Sequence, residues 1–147
     1  MNSGKGYDTM TDLELIQLAN GARKNAYAPY SNYTVGAALL LKSGEVVLGC
    51  NVENASFGAT VCAERAAVSA AIAKGARDFC AIAVVGGKAG EPAATFFSPC
   101  GICRQTLREF CNDDFRVLVG CGNEIRAFRL GELLPAGFGA ETMEKSL

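Results

Sequence analysis

The chain contains no histidine. That absence removes the usual general base near neutral pH, and a zinc site with three protein ligands would have to be all-thiolate. Clustered positive charge is missing too: 14 basic residues stand against 15 acidic ones, with no basic run anywhere. Nucleic acid and anionic membrane surfaces are therefore not expected partners, while a small neutral ligand is not excluded. No apolar stretch reaches the length of a membrane span, and the N-terminal residues lack the apolar core of a secretory signal. The chain is expected to work in the reducing cytoplasm. Repeats and long linkers are absent, and residues 1–147 suit one domain with its own core.

What the chain does have is cysteine, seven in all. An odd number spread over this length does not resemble a secreted disulfide framework, and in a reducing compartment cysteine clusters bind metal or do redox work. Three of the seven fall into two short pieces. One reads Thr60, Val61, Cys62, Ala63, Glu64, Arg65; the other reads Ser98, Pro99, Cys100, Gly101, Ile102, Cys103, Arg104, Gln105. The remaining four, Cys50, Cys80, Cys111 and Cys121, sit in or beside apolar segments and read as small core residues.

The chain pattern places those pieces. Residues 1–10 are polar and expected to be loose. A helix is predicted from Thr11, where Thr11 and Glu14 make a capping box and Leu15, Leu18, Ala19, Ala22 and Ala26 form a buried stripe. A hairpin follows, Thr34 to Leu41 and Glu45 to Asn51 around a turn at 42–44. Residues 52–61 read as a loop, and Cys62 to Lys74 as an alanine-rich helix stopped by Gly75. The apolar run Phe79 to Val85 suits a central strand buried on both faces, and Gly86 to Pro92 reads as a flexible loop. A further helix runs from Pro99 to about Phe110. Two antiparallel strands, Arg116 to Val119 and Ile125 to Leu130, precede a tail of small residues from Leu133. Right-handed crossovers advancing the same way would put both central helices on one face, with their N-termini side by side. Those N-termini carry Cys62 and Cys100.

Cys100 and Cys103, three apart, point the same way on a first helical turn. Cys62 and Glu64, two apart, can share a site only if Cys62 stands at the very start of its helix. Three thiolates leave the fourth tetrahedral position of a zinc ion open, as catalytic sites do, with Glu64 as the proton carrier beside it. The thiolates outweigh the charge of the metal by one. The two helix N-termini and Arg65 are expected to offset the excess, with Arg104 as a further candidate. Two other readings stay open on the residues alone: a thioredoxin-like redox pair at Cys100 and Cys103, and a closed structural zinc site, which lacks a fourth ligand at suitable spacing.

The two pieces together resemble the zinc nucleobase deaminase signature in its all-cysteine form. The blocks 28–38, 51–56, 60–65, 98–105 and 133–138 occur in the order found in the short, homotetrameric cytidine deaminases. The resemblance implies a three-layer α/β/α fold with a five-stranded mixed sheet. It implies one Zn²⁺ per subunit on Cys62, Cys100 and Cys103. It also implies hydrolytic deamination of cytidine and 2′-deoxycytidine in pyrimidine salvage, in which water activated by zinc attacks C4 and Glu64 shuttles the protons. Asn51 and Glu53 would read the ribose 3′-hydroxyl, backbone around Ala63 and Cys100 would contact the base, and the Ser98 carbonyl would hold the departing amino group. Tyr33 would lie against the ring, a position at which the family usually has Phe. Phe138 would reach into a neighbouring subunit's site, and Ala55 and Phe57 would approach a neighbour's ribose 5′ end. The family often has Tyr where this chain has Phe57. A deaminase of a related aminopyrimidine such as blasticidin S, or a non-enzymatic zinc or redox module, are the alternatives.

Overall fold

A computed structural model describes residues 10–145. Of the stretch expected to be loose, all but Met10 lies outside the described residues. Helix α1 (Asp12–Ala22) starts at the expected capping box: Glu14 N donates to Thr11 Oγ1 at 3.1 Å and Thr11 N donates back to the Glu14 carboxylate at 3.3 Å. Its buried stripe is turned toward Leu15, Ile16, Ala19 and Ala22, which corrects the expected one. Leu18 falls on the solvent side, and Ala26 lies beyond a 3₁₀ turn (Arg23–Asn25) and is only half-buried.

Strands β1 (Tyr33–Leu41) and β2 (Val46–Cys50) form the hairpin, whose tight turn requires Gly44 at φ +92°. Helix α2 (Ala63–Ala73), strand β3 (Phe79–Lys88) and helix α3 (Gly101–Phe110) follow. Strands β4 (Arg116–Cys121) and β5 (Glu124–Arg129) and the single turn α4 (Leu130–Leu133) come next, before a last 3₁₀ turn (Ala140–Met143). The sheet order is β2-β1-β3-β4-β5, with β3 and β4 parallel and the other neighbours antiparallel.

The crossovers through α2 and α3 both advance toward β4, so both helices cover one face, as the connection rule predicts. There Ala67, Val68 and Leu107 pack on Leu39, Ile82 and Val117. Helix α1 covers the other face, where Leu15, Ile16 and Ala19 meet Ala38, Leu40 and Leu118. Successive residues of β1 and β3 feed opposite cores, which is why both strands read as continuous apolar runs.

Several segments differ from expectation. Strand β3 continues through Gly86 and Gly87, which had read as loop. A β-carbon at Gly86 would lie 2.5 Å from the Phe97 ring, and one at Gly87 2.9 Å from the Arg23 guanidinium, so close approach rather than flexibility explains these glycines. Residues 52–61 are held by bridges pairing Val52 with Tyr27 and with Val61, and include a 3₁₀ turn at Phe57–Ala59. Leu130 belongs to α4 instead of the last strand, and α3 starts one residue after Cys100. Among the four outlying cysteines only Cys111 is buried; Cys50, Cys80 and Cys121 are half-exposed at strand ends or edges.

Candidate metal centre and active site

Cys62 is the N-cap residue of α2 and Cys100 that of α3, both with extended backbone, while Cys103 sits in the first turn of α3. Placing Cys62 on the cap meets the one condition under which it and Glu64 can share a site. The three sulfurs converge. Cys62 Sγ lies 3.8 Å from Cys100 Sγ, Cys100 Sγ lies 3.7 Å from Cys103 Sγ, and all three atoms fall within 4.8 Å of one another. A tetrahedral zinc with bonds of about 2.3 Å holds its sulfurs about 3.8 Å apart, so this donor set fits one Zn²⁺ per chain.

Electrostatics favour thiolate at this position. The Cys62 thiol is pulled down to about 5, first by the hydrogen bond from Cys103 and then by Arg65 and Cys100. Cys103 is pushed up in turn, by donating to Cys62 and by burial. Arg65 Nη2 donates to Cys62 Sγ at 3.7 Å and to the Thr60 carbonyl at 3.2 Å, which puts it in hydrogen-bond contact with one of the three sulfurs. Arg104 does not share that role. Its Nε donates to Pro99 O and its Nη1 to Leu133 O, each at 2.7 Å, and Nη2 lies 3.4 Å from Ser98 Oγ. The guanidinium is committed to carbonyls and braces the turn that presents Cys100.

Glu64 is buried at 5% exposure on the first turn of α2. Burial, with the Cys62 charge adding to it, pushes its carboxyl up to about 7, so it can both take and release a proton near neutral pH. It borders a cavity of about 210 Å³ together with Cys62, Cys100, Ala63, Asn51 and Ser98. Asn51 is buried and oriented by strand β1: Val35 N donates to its Oδ1 at 2.8 Å, and its Nδ2 donates to Tyr33 O at 2.9 Å. One N–H and one oxygen lone pair remain for a ligand.

Glu53 lines a neighbouring cavity of about 440 Å³ with Tyr30, Ser31, Phe57 and Thr60. Thr60 borders both cavities. The Glu53 carboxylate accepts from Tyr30 N at 2.9 Å, Ser31 N at 3.1 Å and the Ser31 hydroxyl. The hydroxyl bond leads in holding it below the usual carboxylate range. Tyr33 is 5.9 Å from the Phe97 ring, and it is Phe97 that borders the first cavity. Phe97 and Thr60 were not singled out from the sequence. The one signal for Phe97 is its place directly before the Ser98–Pro99–Cys100 block, where an aromatic reads equally well as core. Ala55 and Phe57 are exposed, Phe57 meeting Tyr30 edge-on at 5.9 Å. Phe138 is exposed as well and borders neither cavity.

Fold and centre together define a zinc-binding deaminase of the nucleobase type. Residues 9–120 match the cytidine and deoxycytidylate deaminase zinc-binding region, and the chain belongs to that family. It is 48% identical over 130 residues to a cytidine deaminase of Halalkalibacterium halodurans, covering 88% of this chain and 95% of that protein. The crystal structure of cytidine deaminase from Burkholderia pseudomallei superimposes with a TM-score of 0.81 at 45% identity, over 88% of this chain and all of that one. A blasticidin-S deaminase of Bacillus cereus is 31% identical over 127 residues, 84% of this chain and 89% of that protein. No helix among the described residues is long and apolar enough to cross a membrane.

Proposed function

We propose that this chain hydrolyses cytidine and 2′-deoxycytidine to the corresponding uridines and ammonia, as a single-domain cytoplasmic enzyme of pyrimidine salvage. The observation that carries this reading is the convergence of three sulfurs at tetrahedral spacing beside the buried carboxyl of Glu64. Zinc held by Cys62, Cys100 and Cys103 supplies a Lewis acid that makes water nucleophilic near neutral pH. Glu64 takes a proton from the attacking water and delivers protons to N3 of the base and then to the departing amino group, which the Ser98 carbonyl helps to hold. Arg65 and the two helix N-termini offset the excess negative charge of the thiolates.

Two cavities meeting at Thr60 suit a two-part ligand. The base lies in the smaller one against backbone around Ala63 and Cys100, with Phe97 at its wall and Tyr33 behind Phe97. Asn51 and Glu53, pre-oriented by strand and turn, receive the ribose 3′-hydroxyl. The enzyme works as a homotetramer whose sites are shared: Phe138 caps the base of a neighbouring subunit, while Ala55 and Phe57 approach a neighbour's ribose 5′ end. Among the described residues no Lys or Arg borders the Glu53 cavity, so an added phosphate meets a carboxylate there.

Ultraviolet absorbance during incubation with cytidine, with zinc measured on the same sample, tests the reading. Cytidine and deoxycytidine should turn over with about one zinc per chain, and their 5′-monophosphates should be poor substrates. Equal kcat/KM for deoxycytidine and its monophosphate would overturn the nucleoside assignment. Similarity to the Bacillus cereus blasticidin-S deaminase supports a second reading, and turnover of blasticidin S in preference to cytidine would select it.

A further inference from the structure

Phe138 keeps 57% of its surface exposed, yet the chain around it is gripped from one helix. Arg104 Nη1 donates to Leu133 O at 2.7 Å, Gln105 Nε2 donates to Phe138 O at 2.8 Å, and Arg108 pairs with the Glu141 carboxylate. All three side chains leave the same stretch of α3, directly after the metal-binding turn that ends at Cys103. Within the gripped segment Ala136 is held at φ +52°, and Gly139 is buried with its N–H bonded to Thr142 Oγ1 at 3.2 Å. An aromatic on a loose chain would lose backbone freedom on docking; here the backbone is ordered beforehand and the ring faces outward.

We infer that Gln105 is a positioning residue, which holds the Phe138 backbone against α3 so that the ring is presented at a fixed distance from its own chain's metal turn. Gln105 itself lines neither cavity; its side-chain amide is spent on the Phe138 carbonyl. Its effect on catalysis runs through Phe138 and rests on the proposed capping of a neighbour's base. Because the tether starts two residues past Cys103, ring and metal turn are fixed to one rigid helix. A subunit therefore presents its ring to a neighbour in a geometry set by the helix that carries its own Cys100 and Cys103.

The test uses the zinc-loaded enzyme. Gln105→Glu keeps the side-chain shape but removes the donor and turns an acceptor toward a carbonyl, whereas Gln105→Lys restores a donor. The chain has no tryptophan, so Phe138→Trp introduces a single emitter on the segment. In that background Gln105→Glu should lower tryptophan anisotropy, and Gln105→Lys should recover most of it. With Phe138 in place, Gln105→Glu should raise KM for cytidine roughly two- to tenfold, the range expected of one hydrogen bond, while kcat and zinc content hold. Unchanged anisotropy would overturn the tether. Lowered anisotropy with unchanged KM would keep the tether but overturn base capping by Phe138, and with it the positioning role. A fall in kcat or zinc content in step with KM would show that Gln105 merely supports the metal turn, which also overturns the inference.

Discussion

Arg23 and Glu64 are both charged residues buried below a tenth of their surface, one on each face of the sheet. Arg23, at the end of α1, spends its guanidinium on backbone: Nε donates to Thr34 O at 3.1 Å, and Nη2 to Lys88 O at 3.1 Å and Glu91 O at 3.0 Å. Asn20 Oδ1 accepts from Nη1 at 3.2 Å. Its charge meets oxygen in every direction that matters, and it staples the end of β3 to β1. Glu64 is held differently: its own backbone N–H, the Arg65 charge and the Cys103 thiol favour the carboxylate, and burial outweighs them. It faces a cavity and three thiols, and burial raises its proton affinity. The difference separates structure from chemistry better than burial does: a buried charge satisfied by carbonyls is a rivet, and one facing other titratable groups across open space is poised to react.

The strongest way to break this distinction is Glu64→Gln. Loss of the proton carrier should lower kcat by about 10²–10⁴-fold with zinc stoichiometry intact. Stability toward urea should hold or rise, since an amide carries no cost for burying a charge. If the metal is lost, or turnover stays near that of the parent, Glu64 is not the proton carrier.

Arg23→Met should show the reverse pattern. It takes the Arg23 donors away from the carbonyls of Thr34, Lys88 and Glu91, of which Lys88 O still accepts from Glu91 N, so stability should fall by on the order of 3 kcal/mol in urea unfolding. The folded fraction should keep its kcat and its zinc. A large loss of kcat at unchanged stability would move Arg23 into the reactive class and dissolve the comparison.

Most of the reactive face was legible in the sequence and most of the rivet was not. Cys62, Glu64, Cys100 and Cys103 announce themselves because their chemistry has few other uses, and chain connectivity alone brings the two helix starts together. The capping box of Thr11 and Glu14 is equally local, a matter of residues three apart. Arg23 is the opposite case. Three of its partners lie 11, 65 and 68 residues away and are backbone carbonyls, which carry no side-chain signature. For the same reason Gly86 and Gly87 read as a loop: the Phe97 ring and the Arg23 guanidinium that require them come from distant positions. Arg104, a further candidate for offsetting the thiolate charge, is held instead by the carbonyls of Pro99 and Leu133 at 2.7 Å, partners that carry no side-chain signature either. Leu18 was misplaced because a stripe three and four residues wide can be turned by one position without changing its period.

The smallest expected effect lies at the opposite end of the sheet, around the most spacious cavity described, about 570 Å³. Its rim includes Asp12 and Arg116, and these charges are spent on each other: Arg116 Nη1 and Nη2 donate to the two carboxylate oxygens at 3.0 and 2.8 Å. The Arg116 hydrogen bonds hold the Asp12 carboxyl below its ordinary 3.8. Both side chains are about half exposed, so solvent screens the pair and Asp12→Asn should cost less than about 1 kcal/mol at neutral pH. The sign of the pH dependence follows from the lowered value. The contribution is fully present above 3.8 and fades as pH falls through the folded-state value, where the native carboxylate takes up its proton. Urea unfolding of the two chains side by side should thus show a small gap at neutral pH that closes in acid, with no change in kcat at neutral pH. A gap that persists in acid would mean that Asp12 acts through something other than its charge. A changed kcat would mean that this end of the sheet, roomy and internally paired, communicates with the chemistry at the other.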